Sequence, residues 1–168
     1  MDLCKYMMQG KRTEQENLRI MRKLFEGIDY MHSIGIVHRD IKLENIMIHQ
    51  PTPEDPPIPK FIDFGLSTVL LAGESSTELY GTLAYCSPEI FLGLPYNQPT
   101  DIWSAGIVMH MFLSGIVPFM SMNKDDMKRN IIYRKVNFNQ PGWLKISNDA
   151  KDLVSRMLEK DQTRRITS

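Results

Sequence analysis

The stretch at residues 101–113 constrains this chain's fold more than any other. Ile102, Trp103, Ala105, Ile107, Val108, Met109, Met111, Phe112 and Leu113 leave almost no polar side when wound at 3.6 residues per turn. A helix that is apolar all round has no face to offer water, so other elements must enclose it. A chain of 168 residues with 42% hydrophobic and 24% charged side chains can build one such core, and it shows no internal repeat. The expected fold is a single, mainly α domain with a small β hairpin, arranged around that central helix.

The remaining elements follow from local signals. Thr13-Glu14-Gln15-Glu16 reads as a capping box, in which the Thr13 hydroxyl and the Glu16 carboxylate satisfy each other's backbone amides at a helix start. Leu18, Met21, Leu24, Phe25, Ile28 and Met31 then recur at helical spacing, predicting an amphipathic helix over residues 13–32 that Gly35 ends. Ile46-Met47-Ile48 and Lys60-Phe61-Ile62 read as paired strands. Between them, residues 51–59 hold five prolines, which exclude a sheet interior and predict a surface loop. Residues 66–86 are rich in Ser, Thr, Gly and Glu and read as a mobile regulatory loop. Asn123 is positioned to cap a helix reaching Ile132, and Asn148 another reaching Leu158.

Composition also excludes some functions. Formal net charge is zero, so no electrostatic argument favours nucleic acid or an anionic membrane as partner. No apolar run approaches the ~20 residues of a membrane-spanning helix, and no signal-peptide pattern opens the chain. Cys4 and Cys86 lack metal-ligand spacing, which predicts free thiols in a reducing, cytoplasmic setting.

Chemistry concentrates in His38-Arg39-Asp40-Ile41-Lys42-Leu43-Glu44-Asn45. Asp40 is suited to accept a proton from an attacking hydroxyl. Lys42 is suited to balance charge on a transferring phosphoryl group, and Asn45 to hold magnesium through its amide oxygen. The hairpin delivers a second oxygen ligand, Asp63, beside this loop. Phosphoryl transfer demands alignment and charge neutralisation more than covalent help, and these residue types supply both.

The run resembles the catalytic loop of protein kinases, and the order is maintained by Asp63-Phe64-Gly65, then Ser87-Pro88-Glu89, then Asp101-Ile102-Trp103-Ser104-Ala105-Gly106, and finally Arg165. Lys42, together with Thr82 in Gly81-Thr82, is similar to the serine/threonine class. The stretches around residues 80–89 and 101–108 are most similar to calcium/calmodulin-dependent kinases. The resemblance implies the larger, C-terminal lobe of the catalytic domain, running from just after the hinge to before the end of the last helix, with ATP and Mg2+ as cofactors. It implies that Asp40 is the base, Lys42 faces the terminal phosphate, and Asn45 and Asp63 hold metal. It also implies that Thr82 bridges Asp40 and Lys42. His38 is implied to pack beneath Phe64, Asp101 to hydrogen-bond the loop backbone, and Glu89 to pair with Arg165. Ser87 replaces the family's usual alanine, a small-for-small exchange.

Regulatory and substrate residues follow from the same resemblance. Arg39 is the family's holder of a phosphate or an acid on the activation segment. Glu78, three residues before Gly81, lies where many relatives carry an activating phosphothreonine, so it either pairs with Arg39 unmodified or is a solvated loop acid. Ser75, Ser76 and Thr77 are candidate phosphorylation sites. Glu44 matches an acid that directs some relatives to basic substrates, whereas Arg129 lies where strongly basophilic relatives carry a second acid. The implied partner is a protein with a Ser/Thr target, with a mild preference for nearby basic residues. The chain opens with Asp2 near the position of a ribose-binding acid, and it contains no glycine-rich loop or strand lysine. The isolated chain is therefore expected to turn over feebly or not at all, and the alternative function is a catalytically silent binding module.

Overall fold

The computed structural model describes residues 1–10, 12–52 and 54–168. Its centre is α4 (Pro99–Ser114). Ile102, Trp103, Ile107, Val108, Met109 and Phe112 are all buried, although they point in different directions around the helix. The helix is one turn longer than its apolar run suggests. Pro99 occupies the first turn, where its missing N–H costs nothing, and Gly115 closes the far end with φ 72°.

Two helices flank α4. The first is α2 (Glu14–Ser33), which starts from the expected capping box: Glu16 N donates to Thr13 Oγ1 at 3.2 Å and Thr13 N to Glu16 Oε2 at 2.7 Å. It turns Ile20, Met21, Leu24, Ile28 and Met31 inward. The second is α6 (Asn148–Met157), capped by Ser147 and not by Asn148, because the serine hydroxyl reaches Ala150 N at 3.2 Å. Asn123 does cap α5 (Lys124–Tyr133), accepting from Asp125 N. Two short helices complete the set. One is α1 (Leu3–Met8), which lacked a periodic signal because it is barely two turns long; the other is α3 (Pro88–Phe91).

There are two antiparallel pairs among the described residues and not one. β1 (Ile36–Val37) pairs with β4 (Thr68–Val69), so the loop expected at 66–86 begins as a strand. β2 (Ile46–His49) pairs with β3 (Ile58–Phe61), which includes Pro59. Proline is tolerated there because the residue opposite it, Ile48, turns both its backbone N–H and C=O the other way, toward Met1. The Ile48–Pro59 pair therefore needs no ladder bond from position 59. The rest of the proline-rich segment is loop, apart from Pro53, which lies outside the described residues.

One core contact makes the fold sensitive to acid. His110, buried in α4, has its Nδ1 2.8 Å from the carbonyl of Ile116, and its Nε2 accepts from Trp143 Nε1 at 3.2 Å. That pattern requires the neutral ring, since a second ring proton would face the indole N–H. Burial accordingly lowers the His110 pKa from 6.5 to about 4. The unfolded chain binds a proton at 6.5 and the folded one only near 4, so this contribution is complete above pH 6.5 and is lost as pH falls toward 4. Denaturant titration of wild type should show up to about 3 kcal/mol lost across that window, and His110→Gln should flatten the slope.

Candidate active site

The loop at residues 38–45 hangs from a buried carboxylate. Asp101, in the first turn of α4, accepts from His38 N at 2.8 Å and from Arg39 N at 3.0 Å, and His32 Nε2 lies 3.1 Å from the same side chain. The helix N-terminus adds a favourable field for that carboxylate. The central core helix thus positions the loop directly.

Asp40 is 7% exposed and takes four donors. Its Oδ1 accepts from Thr82 N at 3.0 Å and Thr82 Oγ1 at 2.8 Å. Its Oδ2 accepts from Lys42 Nζ at 2.6 Å and Asn45 Nδ2 at 3.0 Å. Lys42 Nζ also donates to Thr82 Oγ1 at 2.9 Å, closing a ring of Asp40, Lys42 and Thr82. A carboxylate has about four lone-pair positions. For Asp40 to accept a proton, one donor must move, and Lys42 has the long, flexible stem to do so.

Asn45 has both amide hydrogens committed, to the Asp40 carbonyl and to the Asp40 carboxylate, each at 3.0 Å. That assignment leaves its Oδ1 facing away from Asp40. Asp63 arrives by strand pairing: Ile62 N donates to the Asn45 carbonyl at 2.9 Å, and Asp63 follows at once. His38 steadies the chain on both sides of Asp63. Its Nε2 lies 3.2 Å from the Ile62 carbonyl, and its ring packs on Phe64 with centroids 4.9 Å apart. Asp63 itself is exposed, and its Oδ1 accepts from Gly65 N at 3.2 Å. An amide oxygen and a carboxylate suit a small hard cation such as Mg2+. No group of three or more His, Cys, Asp or Glu side chains among the described residues could hold a metal alone. The donor set fits a cation that takes its remaining ligands from phosphate oxygens and water.

Backbone strain marks the same place. Arg39 and Asp63, at φ 67° and 60°, are the non-glycine residues with positive φ among those described. Such conformations cost about 1–3 kcal/mol each and persist only where the surroundings over-determine them. Gly81 has φ 105°, and a Cβ there would lie 2.7 Å from the Arg39 carbonyl. Gly81→Ala should push Thr82 off Asp40 and destabilise the fold by about 1–3 kcal/mol. Thermal melts would register the cost.

Beyond the loop, Arg39 Nη1 donates to Glu78 Oε2 at 2.6 Å, and its guanidinium lies over the Tyr80 ring at 4.6 Å. Of the two readings of Glu78, paired with Arg39 or solvated, the structure has the pair, although Glu78 remains 56% exposed. Tyr96 adds a tie with no sequence signal of its own. Its hydroxyl donates to the Glu78 carbonyl at 2.8 Å, and its backbone bridges to Ser76. Glu89 and Arg165 form a two-armed pair at 2.6 and 2.9 Å, both fully buried. Glu44 stands exposed on the turn Leu43–Asn45, and Arg129 pairs with Asp126 at 3.0 Å on exposed α5. Asp2 caps α1 through Lys5 N at 2.8 Å. Cys4 and Cys86 are free thiols.

A buried aspartate, a lysine, a threonine and an asparagine thus form one hydrogen-bonded unit, and the segment carrying Asp63 joins it through the Ile62–Asn45 backbone bond. The protein kinase domain profile matches residues 1–168. Calcium-dependent protein kinase SK5 of Glycine max is 33% identical over 175 residues, covering all of this chain and 34% of that protein. Smooth muscle myosin light chain kinase of Gallus gallus is 38% identical over 154 residues, covering 92% of this chain and 8% of its own length. Calcium-dependent protein kinase 4 of Plasmodium berghei is 39% identical over 145 residues, covering 86% and 27%. The chain belongs to the protein kinase domain family, and within it is most similar to serine/threonine kinases of the calcium-dependent and calmodulin-dependent types. It spans about a third or less of the length of these relatives.

Proposed function

We propose that these residues form the C-terminal lobe of a serine/threonine protein kinase that moves the terminal phosphoryl group of ATP to a protein hydroxyl. The observation that carries this reading is the Asp40 carboxylate held by Lys42, Thr82 and Asn45. The substrate oxygen attacks phosphorus, its proton passes to Asp40, and the bond to ADP breaks with its electron pair leaving on the ADP oxygen. Lys42 leaves Oδ2 of Asp40 as it turns toward the charge on the transferring group, freeing a lone pair for that proton. Thr82 keeps Asp40 aimed while Lys42 moves. Asn45 and Asp63 would hold Mg2+, which supplies neutralisation of phosphate charge. Glu44, exposed beside the loop, supports a mild preference for basic residues near the target. The two free thiols support a reducing, cytoplasmic setting.

The test is transfer of γ-labelled phosphate from ATP to serine-, threonine- and tyrosine-containing peptides by the full-length protein. Metal-dependent labelling of serine or threonine supports the reading. Absence of labelling would leave the silent binding module as the better account. The 168 residues alone contain no glycine-rich loop to cover the phosphates, so the isolated chain should bind nucleotide weakly.

On this reading the segment before Thr82 is held open without modification by Arg39 and Glu78. A pair whose acid is mostly in solvent is worth about 0–1 kcal/mol, so Glu78→Ala should lower turnover by up to about fivefold. Unchanged turnover would remove the pair from the account.

A further inference from the structure

A groove of about 730 Å³ lies between the outer face of α2 and the loop leading into β3, apart from the residues assigned to phosphoryl transfer. Its apolar lining comes from Tyr6, Ile20, Pro57 and Ile58. Ile58, opposite His49 at the end of the ladder, is 41% exposed there. The rim is cationic: Arg12 precedes α2, and Arg19, Arg22 and Lys23 share one helical face.

Three carboxylates, Glu16, Asp55 and Glu26, offset the four cations only in part, and Glu16 feels both Arg12 and Arg19. Glu16 is held in the Thr13 capping box, and Asp55 Oδ2 accepts from Thr52 N and Thr52 Oγ1, each at 3.0 Å. Glu26 is shared between Arg22 at 3.3 Å and Lys23 at 2.8 Å. Arg12 donates to the carbonyls of Gly10 and Tyr6 and stacks on the Tyr6 ring at 3.8 Å. Arg19 has no carboxylate within ion-pair distance among the described residues. A chain of zero net charge therefore carries a local surplus of one positive charge around an apolar floor, with Arg19 outside any ion pair among the described residues.

We propose that this groove docks an acidic peptide segment of a partner protein, its carboxylates on Arg12 and Arg19 and an apolar side chain against Tyr6, Ile20 and Ile58. Apolar anchors give such a site its affinity, and rim charges give orientation and rate. On the proposed kinase function, the groove lies upstream of the catalytic site along both chain segments. The groove's two walls continue in sequence into the catalytic site, α2 through Gly35 to the loop at 38–45, and β3 through Ile62 to Asp63. A docked segment would raise the local concentration of whatever hydroxyl it carries.

Fluorescence anisotropy with a short labelled peptide of alternating leucine and glutamate tests the docking without requiring turnover. Saturable binding is expected, weakening as salt rises. Arg19→Glu and Ile58→Ser should each weaken it about tenfold, while Lys135→Glu, on the exposed loop after α5, leaves it unchanged. Circular dichroism of each variant confirms that it is folded. The proposal is overturned by lack of saturable binding, by equal loss in Lys135→Glu, or by equal affinity for a glutamate–serine peptide. It is also overturned if phosphatidylserine vesicles bind through Arg19 and the peptide does not displace them.

Discussion

Asp40→Asn should lower kcat of the full-length protein by about 10²–10⁴-fold, the range a positioned general base contributes. Asparagine has nearly the same shape, and its Oδ1 would still accept from Thr82 N and Thr82 Oγ1, which now bond Asp40. Its amide nitrogen would instead meet Lys42 Nζ and Asn45 Nδ2, both donors. Two consequences can be separated. The variant loses its proton acceptor, which appears in kcat, and it places donor against donor, which costs about 1–3 kcal/mol of stability. The KM for ATP should change little, because nucleotide contacts fall to Lys42, Asn45 and Asp63 on the proposed reading. A drop in kcat of less than tenfold, measured with labelled ATP at saturating peptide, would remove Asp40 from the role of base.

Breaking the Glu89–Arg165 pair should have the largest effect on stability. Both side chains are essentially without solvent, at 2% and 0% exposure, and each guanidinium arm meets one carboxylate oxygen. Arg165 also donates to the carbonyls of Pro99 and Glu159. Removing one partner leaves the other charge buried and unpaired, typically at a cost of 3–5 kcal/mol. Arg165→Met should therefore lower the melting temperature by roughly 6–20 °C, at about 2–4 °C per kcal/mol for a chain of this size. The double variant Glu89→Leu with Arg165→Met should recover much of that loss, because the penalty lies in the orphaned charge. Melts by circular dichroism decide the matter: a single variant that melts like wild type contradicts the pairing. The pair ties α3, which follows Thr82, to the end of the chain, so destabilisation should also loosen residues 76–82.

Local signals read well wherever a residue's role depends on near neighbours in sequence. The α2 capping box was legible from Thr13 and Glu16, and the central position of α4 from its lack of a polar side. Strand β3 and its partner were legible from short apolar runs, yet Pro59 argued against pairing. Its tolerance rests on Ile48 turning toward Met1, which local pattern does not encode. Helix α6 shows the same limit on a smaller scale. Ser147 and Asn148 are both good caps, and the hydroxyl that reached Ala150 N decided between them. Tyr96 carried no signal because its hydroxyl finds the Glu78 carbonyl 18 residues away through the fold.

The amino-acid order alone pointed to the chemistry proposed and to its chain positions: Asp40, Lys42 and Asn45 within one loop, Asp63 after a strand, and Asp101 opening an enclosed helix. Those assignments rest on residue type and spacing together with the family resemblance of the motifs, all of which are read from the chain itself. Tertiary structure alone decided that Glu78 meets Arg39 and that Arg12 and Arg19 border an apolar groove, and it brought together the Thr82–Asp40 contact that the resemblance implied. These are pairings between distant segments, where hydrogen-bond geometry and charge act over a few ångströms whatever the separation along the chain. A hydrogen bond between residues 40 and 82 exists only once the core packed around α4 has brought both segments to the same side.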